Sequence, residues 1–177
     1  MRIISGKYRG KKLKEFNLDS TRPTTDRVKE SIFNLIQFDV LDSVVLDLFS
    51  GTGALGIEAI SRGAKQTHLV DCNKLAIKII KENLKGIEGD YEVYNADYLN
   101  FLNSASSKYD LIFLDPPYKT DFGIIAINEL IALNKLNKNA IIIFETSKDR
   151  EFTFPTCFDI TKKKYGIVAV YKLRYKD

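Results

Sequence analysis

Tryptophan is absent from the 177 residues, histidine occurs once and cysteine twice. Cys72 and Cys157 stand far apart with no CxxC or Cys/His spacing, which excludes a zinc site and a disulfide framework. The single histidine, His68, lacks partners for acid–base work and reads as a structural residue within a strand. Long apolar runs are missing as well. Ala140 to Phe144 is a buried strand's worth, far short of a membrane span. The opening Met1–Lys7 lacks the apolar stretch of a signal peptide. These absences lead us to expect a soluble, cytoplasmic chain with no membrane contact.

What is present is enough apolar residue, 45%, to build a core, and a length that fits one domain. Net charge is only +4, from 27 Lys+Arg against 23 Asp+Glu. Its distribution is uneven. Residues 1–30 hold nine basic groups and four acids, a net +5 that leaves −1 for residues 31–177. Met1 to Lys14 contain no acid. Such a local excess suggests contact with a polyanion, although a merely solvated basic face has the same composition.

Residues 2–16 read as a β-hairpin, with Arg2–Ser5 and Lys11–Phe16 flanking a loop that carries Gly6 and Gly10. A connector, Thr21–Asp26, leads to a helix marked by Val28, Ile32, Leu35 and Ile36, capped by Thr25 or Asp26. From there apolar strands (44–48, 67–70, 91–94, 111–114 and 140–144) alternate with helices near 54–62, 73–84 and 122–133. Strands apolar on both faces that alternate with helices predict a doubly wound, mostly parallel α/β sheet. Residues 158–164 and 165–175 read as two strands without a helix between them, joined through Lys162-Lys163-Lys164. They predict a C-terminal antiparallel hairpin that brings the sheet to seven strands. The lysine run reads as a solvated turn rather than a polyanion contact. The division expected is a basic N-terminal extension over 1–20 and a catalytic domain over 21–177.

Two constellations carry chemistry. The first is Val45-Leu46-Asp47-Leu48-Phe49-Ser50-Gly51-Thr52-Gly53-Ala54-Leu55-Gly56, a strand running into a glycine turn and then a helix. Gly51 and Gly53 allow close approach of a ligand to the backbone. Asp71, twenty residues after Gly51 at the end of the next strand, suits a carboxylate that accepts from two ribose hydroxyls. Asp47 separates the cofactors. An acid beneath the loop stabilises the ammonium and sulfonium of S-adenosylmethionine and repels a pyrophosphate. Asp97, after the third strand, is placed to accept from an adenine amine, or else is a polar strand-end residue.

The second constellation is Asp115-Pro116-Pro117-Tyr118, at the carboxyl end of the fourth strand, the edge where open α/β sheets bind ligands. The prolines fix φ and contribute no N–H, leaving carbonyl oxygens in rigid positions. Asp115 is a second acceptor and Tyr118 an exposed ring. Convergent acceptors with a stacking face suit a planar base that carries an exocyclic amine. Stacking of that kind contributes roughly 1–3 kcal/mol per base.

With these blocks the sequence resembles the class I S-adenosylmethionine-dependent amino-methyltransferases. More narrowly it is similar to the RsmD-type guanine-N2 methyltransferases of bacterial small-subunit (16S) rRNA. The resemblance rests on 1–10 (MRIISGKYRG), 21–30 (TRPTTDRVKE), Asp47–Ala59, Ser61–Ala64 and Asp115–Tyr118. It implies a Rossmann-like fold in which Asp47, Gly51 and Gly53 cradle the methionine part, Asp71 holds the ribose and Asp97 faces the adenine, with Phe49 a further cofactor-binding residue. Asp115, Pro116, Pro117 and Tyr118 would grip the target guanine. Lys7, Arg9, Lys11 and Lys12, with the block from Arg22 through Arg27 to Lys29, would position RNA. The implied partner is small-subunit rRNA or a 30S assembly particle, with no obligate protein partner. Two departures stand out: Leu55 occupies a position that is often glycine, with Gly56 next, and Asp71 replaces a common Glu. The rival readings are a DNA adenine-N6 or cytosine-N4 methyltransferase, an NAD-dependent oxidoreductase that leaves the Asp-Pro-Pro-Tyr segment without purpose, and a non-catalytic RNA-binding factor.

Overall fold

Strands apolar on both faces need cover on both sides, and the chain supplies it. The computed structural model describes residues 1–16 and 25–176. α1 (Asp26–Leu35) precedes β1 (Val44–Asp47), α2 (Ala54–Ser61), β2 (Gln66–Asp71), α3 (Lys74–Asn83) and β3 (Tyr91–Asn95). α4 (Tyr98–Ser104), β4 (Tyr109–Leu114), α5 (Phe122–Ala132) and β5 (Leu136–Ser147) follow. The chain ends in β6 (Phe158–Tyr165) and β7 (Val168–Tyr175). The seven strands form one sheet in the order β3-β2-β1-β4-β5-β7-β6. β1 to β5 are parallel, and β7 pairs antiparallel with both β5 and β6. Alternate strand residues feed opposite layers: Leu46, Ile112 and Ile142 pack under α4 and α5, while Val45, Phe113 and Ile143 pack with α1 and α2.

The expected strands and helices are all found, with three corrections. α4 is a helix the sequence reading lacked. At seven residues it is too short to show a long apolar period, although Phe101 and Leu102 behind Tyr98 and a capping Asp97 are its local signal. The C-terminal hairpin turns at Gly166-Ile167, with Gly166 at φ +61°, and Lys162–Lys164 lie inside β6. A two-residue turn with a left-handed glycine matches the strand twist, which a lysine turn would not.

The N-terminal hairpin is reduced to one bridge, Arg2 to Lys12, with Ile3 N donating to Lys11 O and Gly10 N to Ile3 O. The reason lies on α2. The Glu58 carboxylate accepts the Ile4 and Ser5 amides at 2.8 and 3.0 Å, and Ser61 Oγ accepts from Tyr8 N at 3.0 Å. The Ile4, Ser5 and Tyr8 amides are therefore spent on side chains of α2, which shortens the ladder to those two bonds and a third from Leu13 N to Met1 O. The approach is close: a Cβ on Gly6 (φ +84°) would sit 1.8 Å from the Ser61 carbonyl oxygen.

Glu58 is fully buried and also meets Lys29 Nζ at 3.2 Å and Arg62 Nε at 2.9 Å. Lys29 is fully buried too, donating to the Arg2 carbonyl at 2.6 Å, and burial pushes its ammonium below the usual lysine range. It is thus an internal strut. The expectation that Lys29 belongs to an RNA-facing block is corrected. Removing one member of a buried charged network strands the others. Glu58→Ala is accordingly expected to lose about 3–5 kcal/mol of stability in urea titrations, with early loss of amide protection over residues 3–8.

Candidate active site at the carboxyl edge of the sheet

From β1 the chain builds outward through β2 and β3, then returns to build β4 and β5 on the other side. A crevice opens where the direction reverses, at the carboxyl ends of β1 and β4. Asp47 pairs with Leu69 of β2 and Phe113 of β4, so Asp71 and Asp115 both stand two residues further out on either side of it.

The loop between them is tied down by its own polar groups. Ser50 N donates to Val70 O at 3.0 Å, and Ser50 Oγ donates to Asp47 O while accepting from Val70 N. Gly51 and Gly53 have φ of +56° and +80°, which a side chain would strain. Gly51 N donates to Asp71 Oδ2 at 2.9 Å, and Asp71 Oδ1 accepts from Asn73 N at 2.8 Å. Each Asp71 oxygen so carries one amide and retains acceptor capacity.

Asp47 is 1% exposed, and its Oδ2 accepts from Gly56 N at 2.9 Å. The departure at Leu55-Gly56 finds its reason here. A Cβ on Gly56 would meet Leu69 Cδ2 at 2.8 Å and Asp47 Oδ2 at 3.1 Å, so glycine is required one position later than usual. Burial pushes the Asp47 carboxyl up to about 7; the Gly56 amide opposes the rise and the Asp71 charge adds to it.

Asp97 caps α4, its Oδ1 accepting from Leu99 N and Asn100 N at 2.9 and 3.3 Å. Next to it Tyr98 lies between two rings, 5.2 Å from Phe49 of the glycine loop and 5.2 Å from Phe122 at the start of α5. Three aromatics so line the path from the glycine loop to the segment after β4. His68 is buried with Nδ1 2.9 Å from the Tyr109 hydroxyl, and burial lowers its pKa.

The Asp115–Tyr118 segment leaves β4 at the crevice. Pro116 is buried and Pro117 exposed; the Pro117 carbonyl accepts from Thr120 N and Oγ1 at 3.0 and 2.8 Å. Tyr118 is not the exposed ring expected. It is half-buried against the α1 layer, and its hydroxyl donates to the buried Glu145 Oε1 at 2.7 Å. Arg150, after β5, donates to the carbonyls of Tyr118 and Thr120 at 2.8 and 2.5 Å and pairs with Asp121 at 2.6 Å. Glu145 and Arg150 were missed by sequence reasoning because each lies some 30 residues from what it holds. No local pattern marks them.

The basic set does not form one patch. Lys7 pairs with Glu88 at 2.8 Å beside Ser61, at the end of α2 remote from the glycine loop. Lys11 Nζ donates to the Lys85 carbonyl. Arg9, Lys12 and Arg27 are exposed, and Arg22 lies outside the described residues. Arg2 and Arg9, with Asp26 and Glu30, line a cavity of about 230 Å³ beneath the arm.

A family model described as "Conserved hypothetical protein 95" matches residues 1–174. The chain belongs to this family. It is 37% identical to ribosomal RNA small subunit methyltransferase D of Haemophilus influenzae, over 98% of this chain and 92% of that one. The protein of the same name from Escherichia coli K12 is 31% identical, over 100% of this chain and 90% of that one. The solved structure of yhhF from Escherichia coli superposes with a TM-score of 0.88 at 31% identity, covering 99% and 98% of the two chains. The family's fold is that of the class I methyltransferases, and the crevice described here is the one that fold provides.

A carboxyl raised by burial has a definite sign in stability. Its contribution is complete below the unfolded value near 3.8 and is lost as pH rises through about 7. Asp47→Asn, which cannot ionise, is expected to gain stability relative to the parent as pH rises through about 7, and the two should converge near pH 4. Urea midpoints measured across that range check the sign.

Proposed function

We propose that this protein transfers a methyl group from S-adenosylmethionine to the exocyclic N2 of a guanine in small-subunit rRNA. One observation carries the reading. A braced acceptor segment carrying a carboxylate leaves the carboxyl end of β4 beside the carboxyl end of β1, where a glycine loop begins with a buried acid beneath it. The names of the curated relatives point to the same substrate.

The residues fit the cofactor. Asp47, buried with the Gly56 amide and the Ser50 hydroxyl as partners, lacks a countercharge that an α-ammonium would supply. Asp71 has capacity for two ribose hydroxyls beyond its bonds to Gly51 and Asn73. Phe49 and Tyr98 give an apolar wall for the adenine, and Asp97 stands at its rim. When bound, S-adenosylmethionine supplies an electrophilic methyl on sulfur.

The protein's task is then to present the nitrogen. An exocyclic amine is a poor nucleophile because its lone pair is delocalised into the ring. Asp115 and the Pro116 carbonyl accept its two N–H bonds, which favours a tetrahedral nitrogen and aims the lone pair at the methyl. With S-adenosylmethionine bound, the nitrogen so held would take the methyl, its C–N bond forming as the S–CH₃ bond breaks. The proton left on the methylated nitrogen is strongly acidic and passes to Asp115 or water without a dedicated base. Catalysis is chiefly orientation, which Glu145 and Arg150 secure by holding Tyr118 on both its side chain and its backbone. The substrate is taken as rRNA, free or within a 30S assembly particle, in the cytoplasm and without an obligate protein partner. Among the described residues no helix is long and apolar enough to cross a membrane.

Asp115→Ala is expected to keep S-adenosylhomocysteine binding and lose about two to three orders of magnitude in turnover. Nucleoside mass spectrometry of 16S rRNA supplies the cellular test. Cells lacking the protein should lose one N2-methylguanosine, restored by the wild-type chain and not by Asp115→Ala. Loss of a methyladenosine instead would overturn the base assignment. On the RNA side, Arg9→Gln with Lys12→Gln should reduce the slope of log affinity against log salt by about 1–2. Lys7→Gln should change it less, since Lys7 already has a counterion in Glu88.

A further inference from the structure

Asn83 is the last residue of α3, 3% exposed, and is used neither by the sheet nor by the chemistry proposed above. Its carboxamide is fully engaged. Oδ1 accepts from Lys14 N at 2.7 Å, while Nδ2 donates to Lys14 O at 3.1 Å and to Thr52 O at 2.9 Å. The orientation is unambiguous: flipped, the amide would set its oxygen against two carbonyls and its NH₂ against an N–H. Thr52 stands between Gly51 and Gly53, and Lys14 belongs to the N-terminal arm. One side chain thus binds the cofactor loop and the arm at the same point.

The arm continues from Lys14 onto the loop. The Phe16 ring comes within 3.9 Å of where a Cβ on Gly51 would lie, so it covers the glycine whose N–H binds Asp71. At its other end the arm is fixed on α2 by Glu58 and Ser61. Any shift of the Thr52 carbonyl costs Asn83 a buried hydrogen bond, and with it the side chain that pairs both backbone groups of Lys14.

We propose that Asn83 is a positioning residue that couples cofactor occupancy of the glycine loop to docking of the N-terminal arm, with Phe16 as the arm's cover on the cofactor side. The inference rests on the methyltransferase reading. Coupling of this kind is reciprocal, so a ligand that holds the arm strengthens cofactor binding by the factor with which cofactor holds the arm.

Hydrogen exchange at Leu13 and Lys14, with and without saturating S-adenosylhomocysteine, tests it. Wild-type protein should show at least about fivefold slower exchange at both amides when the ligand is bound. Asn83→Asp keeps the side-chain size and the acceptor for Lys14 N, but sets an oxygen against both carbonyls. It should abolish that ligand-dependent slowing and weaken S-adenosylhomocysteine binding about tenfold in calorimetry. Phe16→Ala, which leaves the α3 contact intact, should raise KM for S-adenosylmethionine about five- to tenfold with kcat little changed. A purely structural role would not give that split. If wild type binds S-adenosylhomocysteine and exchange at Leu13 and Lys14 does not respond, the coupling is wrong and the methyltransferase reading stands. If Asn83→Asp folds and retains both the affinity and the slowing, the coupling is likewise overturned. Failure of the wild-type chain to bind S-adenosylhomocysteine overturns both.

Discussion

A single carboxylate with no solvent access, Glu58, holds three parts of the molecule at once. Its two oxygens take the Ile4 and Ser5 amides from the arm, the Lys29 ammonium from α1 and the Arg62 guanidinium at the end of its own helix. Burying that charge is tolerable only because every lone pair has a donor. The cost fixes geometry: the arm cannot leave α2 without uncovering an anion, and α1 cannot leave without taking the Lys29 ammonium away from it. α2 is capped at its start by Gly53, so the helix that anchors the arm is also the one launched from the glycine loop.

The two buried acids of this region have opposite environments, and the contrast separates structure from function. Glu58 is saturated with cationic and amide donors. Asp47, eleven residues earlier, has the Gly56 amide and a neighbouring acid, and burial lifts its carboxyl to about 7. A protein that needed Asp47 only for folding would gain by replacing it with an uncharged residue. On the proposed function, a carboxylate kept under-compensated beneath the glycine loop is instead matched to a cationic ligand, which would complete its solvation on binding.

The parts of this arrangement that the sequence shows are those built from neighbours in the chain. Asp47, Gly51, Gly53, Asp71 and the Asp115–Tyr118 segment sit at strand ends, where alternation of apolar strand and amphipathic helix fixes which edge of the sheet they share. Glu58 left a faint trace as the lone charge in the apolar run of α2, all of which is buried. Asn83, Glu145 and Arg150 left none, since what they hold lies 27 to 69 residues away and polar side chains carry no period. The same limit explains Lys29. Its basic neighbours Arg22 and Arg27 suggest a surface block, and only the arm folding back over α1 and α2 turns it inward. The arm's missing ladder has that origin too, because backbone groups expected to pair with each other find better acceptors on α2.

These long-range supports bear on how an amine can be methylated without a strong base. If orientation supplies most of the rate, the acceptors must not yield when the amine is pulled toward tetrahedral geometry. A loop held by its own turn would yield. Here the segment is fixed from three directions: Pro116 is buried, the Tyr118 hydroxyl is anchored on Glu145 of β5, and Arg150 grips the Tyr118 and Thr120 carbonyls while paired to Asp121 at the start of α5. Arg150 is itself oriented by the Phe152 ring, 4.8 Å from its guanidinium carbon. On the opposite wall the glycine loop is held by Ser50, Asp71 and Asn83. Both walls of the proposed site are therefore held by elements that belong to the sheet or pack on it, and the arm, joined to the loop through Asn83, also carries the exposed Arg9 and Lys12. On the proposed function, substrate binding on the arm and alignment at the crevice would be parts of one mechanical unit.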